Sequence, residues 1–227
     1  MRREEQVHRP GTGQAAAAEC VRYLLTAGAL LAAGVVVCID RAPKPVNTSD
    51  GLSWFGVTRQ TVVEYGITLL VTAALMLRAA VPLAALASLR PARLGLVVCA
   101  ALLPLMLATP YTVSTFMNWT HMTIGSVLFA TQLLLSGWLW WARARTPLVL
   151  GLLLVEFAGG LVCFSSLLDL NDAMLYGQLV FQVAFTGCVS FAILAAATGA
   201  APRRAGRAIA RPSTGHSTGH STGQPPG

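Results

Sequence analysis

The sequence predicts an all-α, polytopic membrane protein with six transmembrane helices and both termini in the cytoplasm. Three observations carry this expectation. The 227-residue chain is 55% hydrophobic and only 11% charged, where a soluble globular domain carries about 25% charged residues. Its apolar residues gather into six runs of near-bilayer length, and backbone groups in lipid must be satisfied within the segment, so each run is a helix. Its basic residues fall very unevenly on the two sides that six spans define.

The spans read as 22–39, 62–80, 93–110, 120–141, 147–167 and 174–197. The first follows a basic leader, 1–21, and has no small-residue cleavage site, so it reads as a span rather than a signal peptide. The second contains Arg78, which snorkels toward the inner headgroups or lies deeper if the helix continues past Pro82. The third contains Pro104, a kink signal. The fourth and fifth are separated only by a short basic turn, "ARART", and form an antiparallel hairpin. The sixth ends near Thr198, where the chain becomes basic and then runs into "STGHSTGHSTGQPPG". That tail, 198–227, is poor in apolar residues and expected to be disordered and cytoplasmic, with His216 and His220 solvated.

Of 16 basic residues, twelve lie with the termini and the even-numbered loops, against three, Arg41, Lys44 and Arg59, on the other side; Arg78 is within a span. This bias predicts termini on the cytoplasmic side of the cell membrane and odd-numbered loops outside. Trp54 and Trp119 fall at the outer boundary and Trp138, Trp140 and Trp141 at the inner one, as interfacial aromatic belts require. The formal charge of +7 does not point to nucleic acid, because the basic residues flank apolar runs and form no patch of their own. The five cysteines show neither CxxC nor Cys/His ligand spacing, so no metal, cofactor or disulfide is expected. Small residues on the first span, Gly28, Ala32, Ala33 and Gly34, and on the fifth, Ala158, Gly159 and Gly160, allow close helix approach.

Polar groups at membrane depth narrow the place where function can reside. In "LGLLLVEFAGGLVC", Glu156 is the single charge, about nine residues into the fifth span. An ionisable group there faces the bundle interior and is a functional candidate by default; desolvation favours its neutral form unless a cation lies alongside. Gln132 and Gln182 reach a similar depth from the other side. His121, Gly125, Leu128 and Gln132 share one face of the fourth helix, and Asn171, Gln178, Gln182, Thr186 and Ser190 form a polar stripe on the sixth. A second polar group gathers at the outer ends: Asp50, Asn118, His121, Asp169, Asn171 and Asp172. Either Glu156 bonds Gln132 or Gln182 as interhelical glue, worth about 0.6 kcal/mol on average, or it lines a pocket open to the outer leaflet. No P-loop, HExxH, GxSxG or dinucleotide motif occurs.

The first outer loop reads "NTSDGLSWFG" and the fourth helix opens with "NWTHMTIGSVLF". With six helices, these stretches resemble a bacterial membrane-protein family known as domain of unknown function 998, in an S-D-x-L-S-x-x-G stretch and a His opening helix four. The matching positions are Ser49, Asp50, Leu52, Ser53, Gly56 and His121. The family pattern follows the His with Thr, whereas here Met122 intervenes before Thr123. The plan is also similar to the Frag/DRAM/Sfk group of six-helix proteins. The resemblance implies a helix count and draws attention to Asp50 and His121; it implies no activity.

Three functions remain in view. The leading expectation is a non-enzymatic protein that binds or senses a membrane lipid or other apolar small molecule, in a pocket between helices four, five and six, with Glu156, Gln132, Gln182, Gln178, His121, Asp50, Asp169 and Asp172 as candidate ligand-binding residues. The second is an intramembrane enzyme on a lipid or isoprenoid, cyclase-like or lipid-modifying, with Glu156 as the acid. The third is a proton-coupled transporter with Glu156 as carrier; no repeat relates the two halves of the chain, and homo-oligomerisation is left open.

Overall fold

A computed structural model describes residues 11–199; the far leader and the tail with His216 and His220 lie outside these residues. The described chain is helical: α1 (Thr12–Arg41), α2 (Val62–Ala80), α3 (Arg90–Ala108), α4 (Thr115–Ala142), α5 (Pro147–Leu167) and α6 (Met174–Ala197), with short 3-10 turns over Gly51–Gly56, Pro82–Ala85 and Ala87–Leu89. Six helical segments are long and apolar enough to cross a membrane.

Local chemistry explains the boundaries. α5 starts where Thr146 caps it by accepting the Val149 amide at 3.3 Å, with Pro147 in the first turn. α4 starts at Thr115 rather than near 120, because Ser114 accepts the Met117 amide at 3.1 Å. α3 starts at Arg90 with Pro91 in its first turn and runs through Pro104. α1 begins ten residues earlier than its apolar run: the Ala-rich "QAAAAE" segment is a strong helix former. Its buried Ala17 and Cys20 join a core with Leu83 and Leu89 from the α2–α3 connection.

α6 is central, packing on α1, α4 and α5, whereas α5 rests mainly on α6. The α5–α6 seam is close because both sides are glycine: a Cβ on Gly159 would stand 2.8 Å from the Gly177 carbonyl oxygen. Two apolar cores result. One joins Ala17, Leu89, Leu96, Leu139, Val149 and Ile193 at the end holding the α2–α3 and α4–α5 connections; the other joins Val35, Phe55, Tyr65, Leu69 and Leu175 at the opposite end. At the first end, Arg143 lies over Trp138 at 5.6 Å and Arg145 over Trp141 at 4.2 Å, so these tryptophans also hold the basic turn. Arg78 is exposed on the last turn of α2.

Candidate functional site

The α1–α2 connection folds into a cap on the bundle end. Asn47 starts it: its Oδ1 accepts the Ser49 amide at 3.0 Å and the Asp50 amide at 3.3 Å, an Asx-type turn. Gly51 then takes φ +65°, a left-handed conformation that favours glycine. A side chain there would also collide with Gln178. The following 3-10 turn buries Phe55 under Tyr65, ring centroids 6.2 Å apart.

Several polar groups of the cap meet another connection or helix. The Ser49 hydroxyl donates to Asp172 at 2.9 Å, and the Leu175 amide donates to the Thr48 carbonyl at 3.0 Å. The Leu52 amide donates to Gln178 Oε1 at 2.6 Å. Tyr111, in the α3–α4 connection, donates to Asp50 at 2.9 Å. Burial, and then the Asp50 carboxylate that accepts its hydrogen, raise the Tyr111 phenol above its ordinary range. Ser53 Oγ lies 2.7 Å from His121 Nε2, and His121 Nδ1 lies 2.8 Å from the Thr109 carbonyl oxygen. The three odd-numbered connections are thereby stitched together at one end. Thr109 and Tyr111 complete this cluster although no candidate list drawn from the sequence contains them, and Ser53 enters the sequence reading only through the family resemblance. Asp169 stands apart, exposed at φ 56°, and Asn118 is exposed on α4. Asn171 bonds Ser165, Ser166 and the Ala173 amide instead of joining the cap.

Beneath the cap lies a cavity of about 70 Å³. Its walls are mostly apolar, Leu31, Leu69, Met76, Leu103, Leu128 and Phe129, interrupted by Thr72, Gln132, Gln178 and Gln182. By the measure in which one water needs roughly 10–15 Å³, it is the size of a few waters or a short hydrocarbon segment. In its wall Gln132 and Gln182 form a reciprocal amide pair, Nε2 to Oε1 distances 2.9 and 3.2 Å. The Thr72 hydroxyl, buried in the wall, has no partner. A second, smaller cavity of about 20 Å³ adjoins it, lined by His121, Tyr111, Val57 and Pro110 and sharing Ser53, Tyr65 and Met106 with the first.

Glu156 is placed otherwise than either sequence reading expects. It is 0% exposed, yet neither oxygen has a hydrogen-bond partner, and it lines neither cavity. Gln132 and Gln182 bond each other, and neither bonds Glu156. The Ser136 hydroxyl on α4 is its electrostatic neighbour, but the geometry falls short of a hydrogen bond, since that hydroxyl is itself unpartnered. No Arg or Lys among the described residues pairs with it; the ion pair there joins Arg41 and Glu64. The cavity consequently lies among α1, α2, α3, α4 and α6, not between α4, α5 and α6. The glycine seam accords with this: at Gly159 and Gly177 it brings the backbones of α5 and α6 close together.

No family model, curated protein or solved structure matches the chain.

Proposed function

We propose that this integral membrane protein sits in the cell membrane with both termini cytoplasmic, and binds a membrane lipid or another apolar small molecule in the cavity beneath the cap. The observation that carries the reading is the composition of that cavity: apolar walls, three glutamine side chains and an unpartnered Thr72 hydroxyl. Apolar walls with a few convergent polar groups are the usual make-up of a small-molecule site. Gln132, Gln182 and Gln178 are the ligand's polar contacts, and the cap, with Asp50, His121 and Asp172 holding it down, is the lid. The orientation rests on the basic residues of the sequence and on the joining of the three odd-numbered connections at the end away from Arg143 and Arg145.

The test is native mass spectrometry of the detergent-purified chain, with bound lipids extracted and identified, wild type beside the double variant Gln132→Leu/Gln182→Leu. A discrete lipid on the wild type, depleted in the variant at equal thermal stability, is the expected result. The same mixed phospholipids on both would refute the reading.

One observation favours a second function. The unpartnered carboxyl of Glu156 is an ionisable group at membrane depth, of the kind a proton-coupled transporter or an intramembrane acid needs. Proton flux or turnover unchanged by Glu156→Gln would eliminate it.

A further inference from the structure

We propose that Ser53 and His121 are a nucleophile–base pair that cleaves the acyl ester of a lipid held in the capped cavity. This rests on the lipid-binding reading above and adds a reaction to it.

The geometry has the parts that acyl transfer needs. A carbonyl oxygen only accepts, so the 2.8 Å contact from Thr109 fixes the hydrogen of His121 on Nδ1. In the neutral ring Nε2 is then an acceptor, directed at Ser53 Oγ 2.7 Å away. That is the nucleophile–base–orienter order of a serine hydrolase, with a backbone carbonyl in the place of the orienting carboxylate. His121 is buried, so the base is shielded from bulk water. Ser53 stands at the junction of the two cavities: the apolar one of about 70 Å³ leads toward mid-membrane, and the one of about 20 Å³ holds His121 and Tyr111 in its wall. The first accommodates the part of an acyl chain next to its ester. The second is the size of a single water, at roughly 10–15 Å³ each, with His121 beside it. Gln178 lines the larger cavity with Ser53, and its Oε1 is occupied by the Leu52 amide. Its Nε2 is thereby left as the donor for an oxyanion.

The reaction balances with water as co-reactant. Ser53 Oγ attacks the ester carbonyl carbon as its proton passes to His121 Nε2. The tetrahedral intermediate collapses, the alkoxide leaves, and it takes that proton to depart as the alcohol. Water then attacks the acyl-serine, its proton passing to His121. The acyl–Oγ bond breaks, Ser53 recovers the proton, and the fatty acid is released.

The test treats the full-length chain, in detergent, with a long-chain alkyl fluorophosphonate and maps the adduct by peptide mass spectrometry. Ser53 is expected to be labelled, while Ser49, exposed on the same cap, is not. His121→Gln keeps a hydrogen-bonding group near Nε2 but no base, and should slow labelling about 100-fold while the chain stays folded, in the range of general-base contributions. A base role also requires the wild-type labelling rate to rise with pH and that rise to vanish in His121→Gln; a slower rate with an unchanged pH profile would show that His121 only positions Ser53 and would overturn the base assignment. Ser53→Ala should lose the label and keep its co-purified lipid. A wild type that carries lipid but labels Ser53 no faster than Ser49 overturns the proposal and leaves the binding reading standing, and this comparison needs no variant to fold. Equal labelling of wild type and a folded His121→Gln also overturns it. Labelling of Ser53 with no lipid on the purified chain supports the pair and refutes the lipid-binding reading alone.

Discussion

Replacing Glu156 with Met should make the protein more stable. The carboxyl is wholly buried, with both oxygens unpartnered and no cation paired with it. A buried polar group left without a partner costs about 1–3 kcal/mol. Methionine has a similar length, is unbranched and adapts to irregular gaps, so Glu156→Met removes that cost without opening a large cavity. Against this stands the loss of any weak attraction from the Ser136 hydroxyl, about 0.6 kcal/mol if it matched an average interhelical hydrogen bond. The net expectation is a gain of about 1–2 kcal/mol, a shift of roughly five- to thirty-fold in the folded-to-unfolded ratio. The assay is reversible unfolding in mixed micelles, titrated with a denaturing detergent, with Glu156→Gln as a control that keeps an unpartnered polar group and should stay near wild type. A loss of 1 kcal/mol or more in Glu156→Met would show that the carboxyl has a stabilising partner, and the reasoning would fail. A gain would mean that Glu156 is not there for stability, as its second functional reading requires.

Other perturbations probe the seam, the cap and the amide pair. Gly159→Ala places a methyl 2.8 Å from backbone atoms of α6, so it should lower stability by about 1–3 kcal/mol in the same unfolding assay, as overpacking does. Gly51→Ala must hold an L side chain at φ +65°, at about 1–2 kcal/mol, and should speed hydrogen exchange across residues 48–57 ahead of the helices. Tyr111→Phe removes the donor to Asp50 and should cost about 0.5–1.5 kcal/mol, read as faster proteolysis of the cap. A double-mutant cycle on Gln132→Leu and Gln182→Leu should give a coupling of about 0.6 kcal/mol, the membrane average; zero coupling would mean the pair is not formed.

The parts of the fold that hydrophobic length and local capping determine were legible in the sequence. The apolar runs 147–167 and 174–197 coincide with α5 and α6, and the spacing of His121, Leu128 and Gln132 marks a face of α4 that is buried. Gln132 and Gln182 meet, as their similar depth allows, but they bond each other where the sequence reading has either of them bonding Glu156. α1 and α4 start before their apolar runs because helix propensity in "QAAAAE" and the Ser114 cap, not hydropathy, set those ends. What faces Glu156 was not legible: α5 is apolar all round, so periodicity gives it no inward stripe. The cavity's position depends on which helices touch, and the Gly159–Gly177 contact that closes the α5 side is a pairing between helices rather than a pattern within one. Ser53 and His121 are 68 residues apart, and only the docking of the cap on α4 and α6 brings them together.

The most direct test of the capped cavity as a lipid site is photo-crosslinking of the full chain in liposomes containing a lipid with a diazirine in its acyl chain, read by peptide mass spectrometry. The cavity reading predicts adducts on Leu69, Leu103 and Phe129, which line it, diminished by competition with unlabelled lipid. Adducts confined to Leu154, Phe157 and Leu161, on the exposed face of α5, would mean that lipid only surrounds the bundle and would contradict the account.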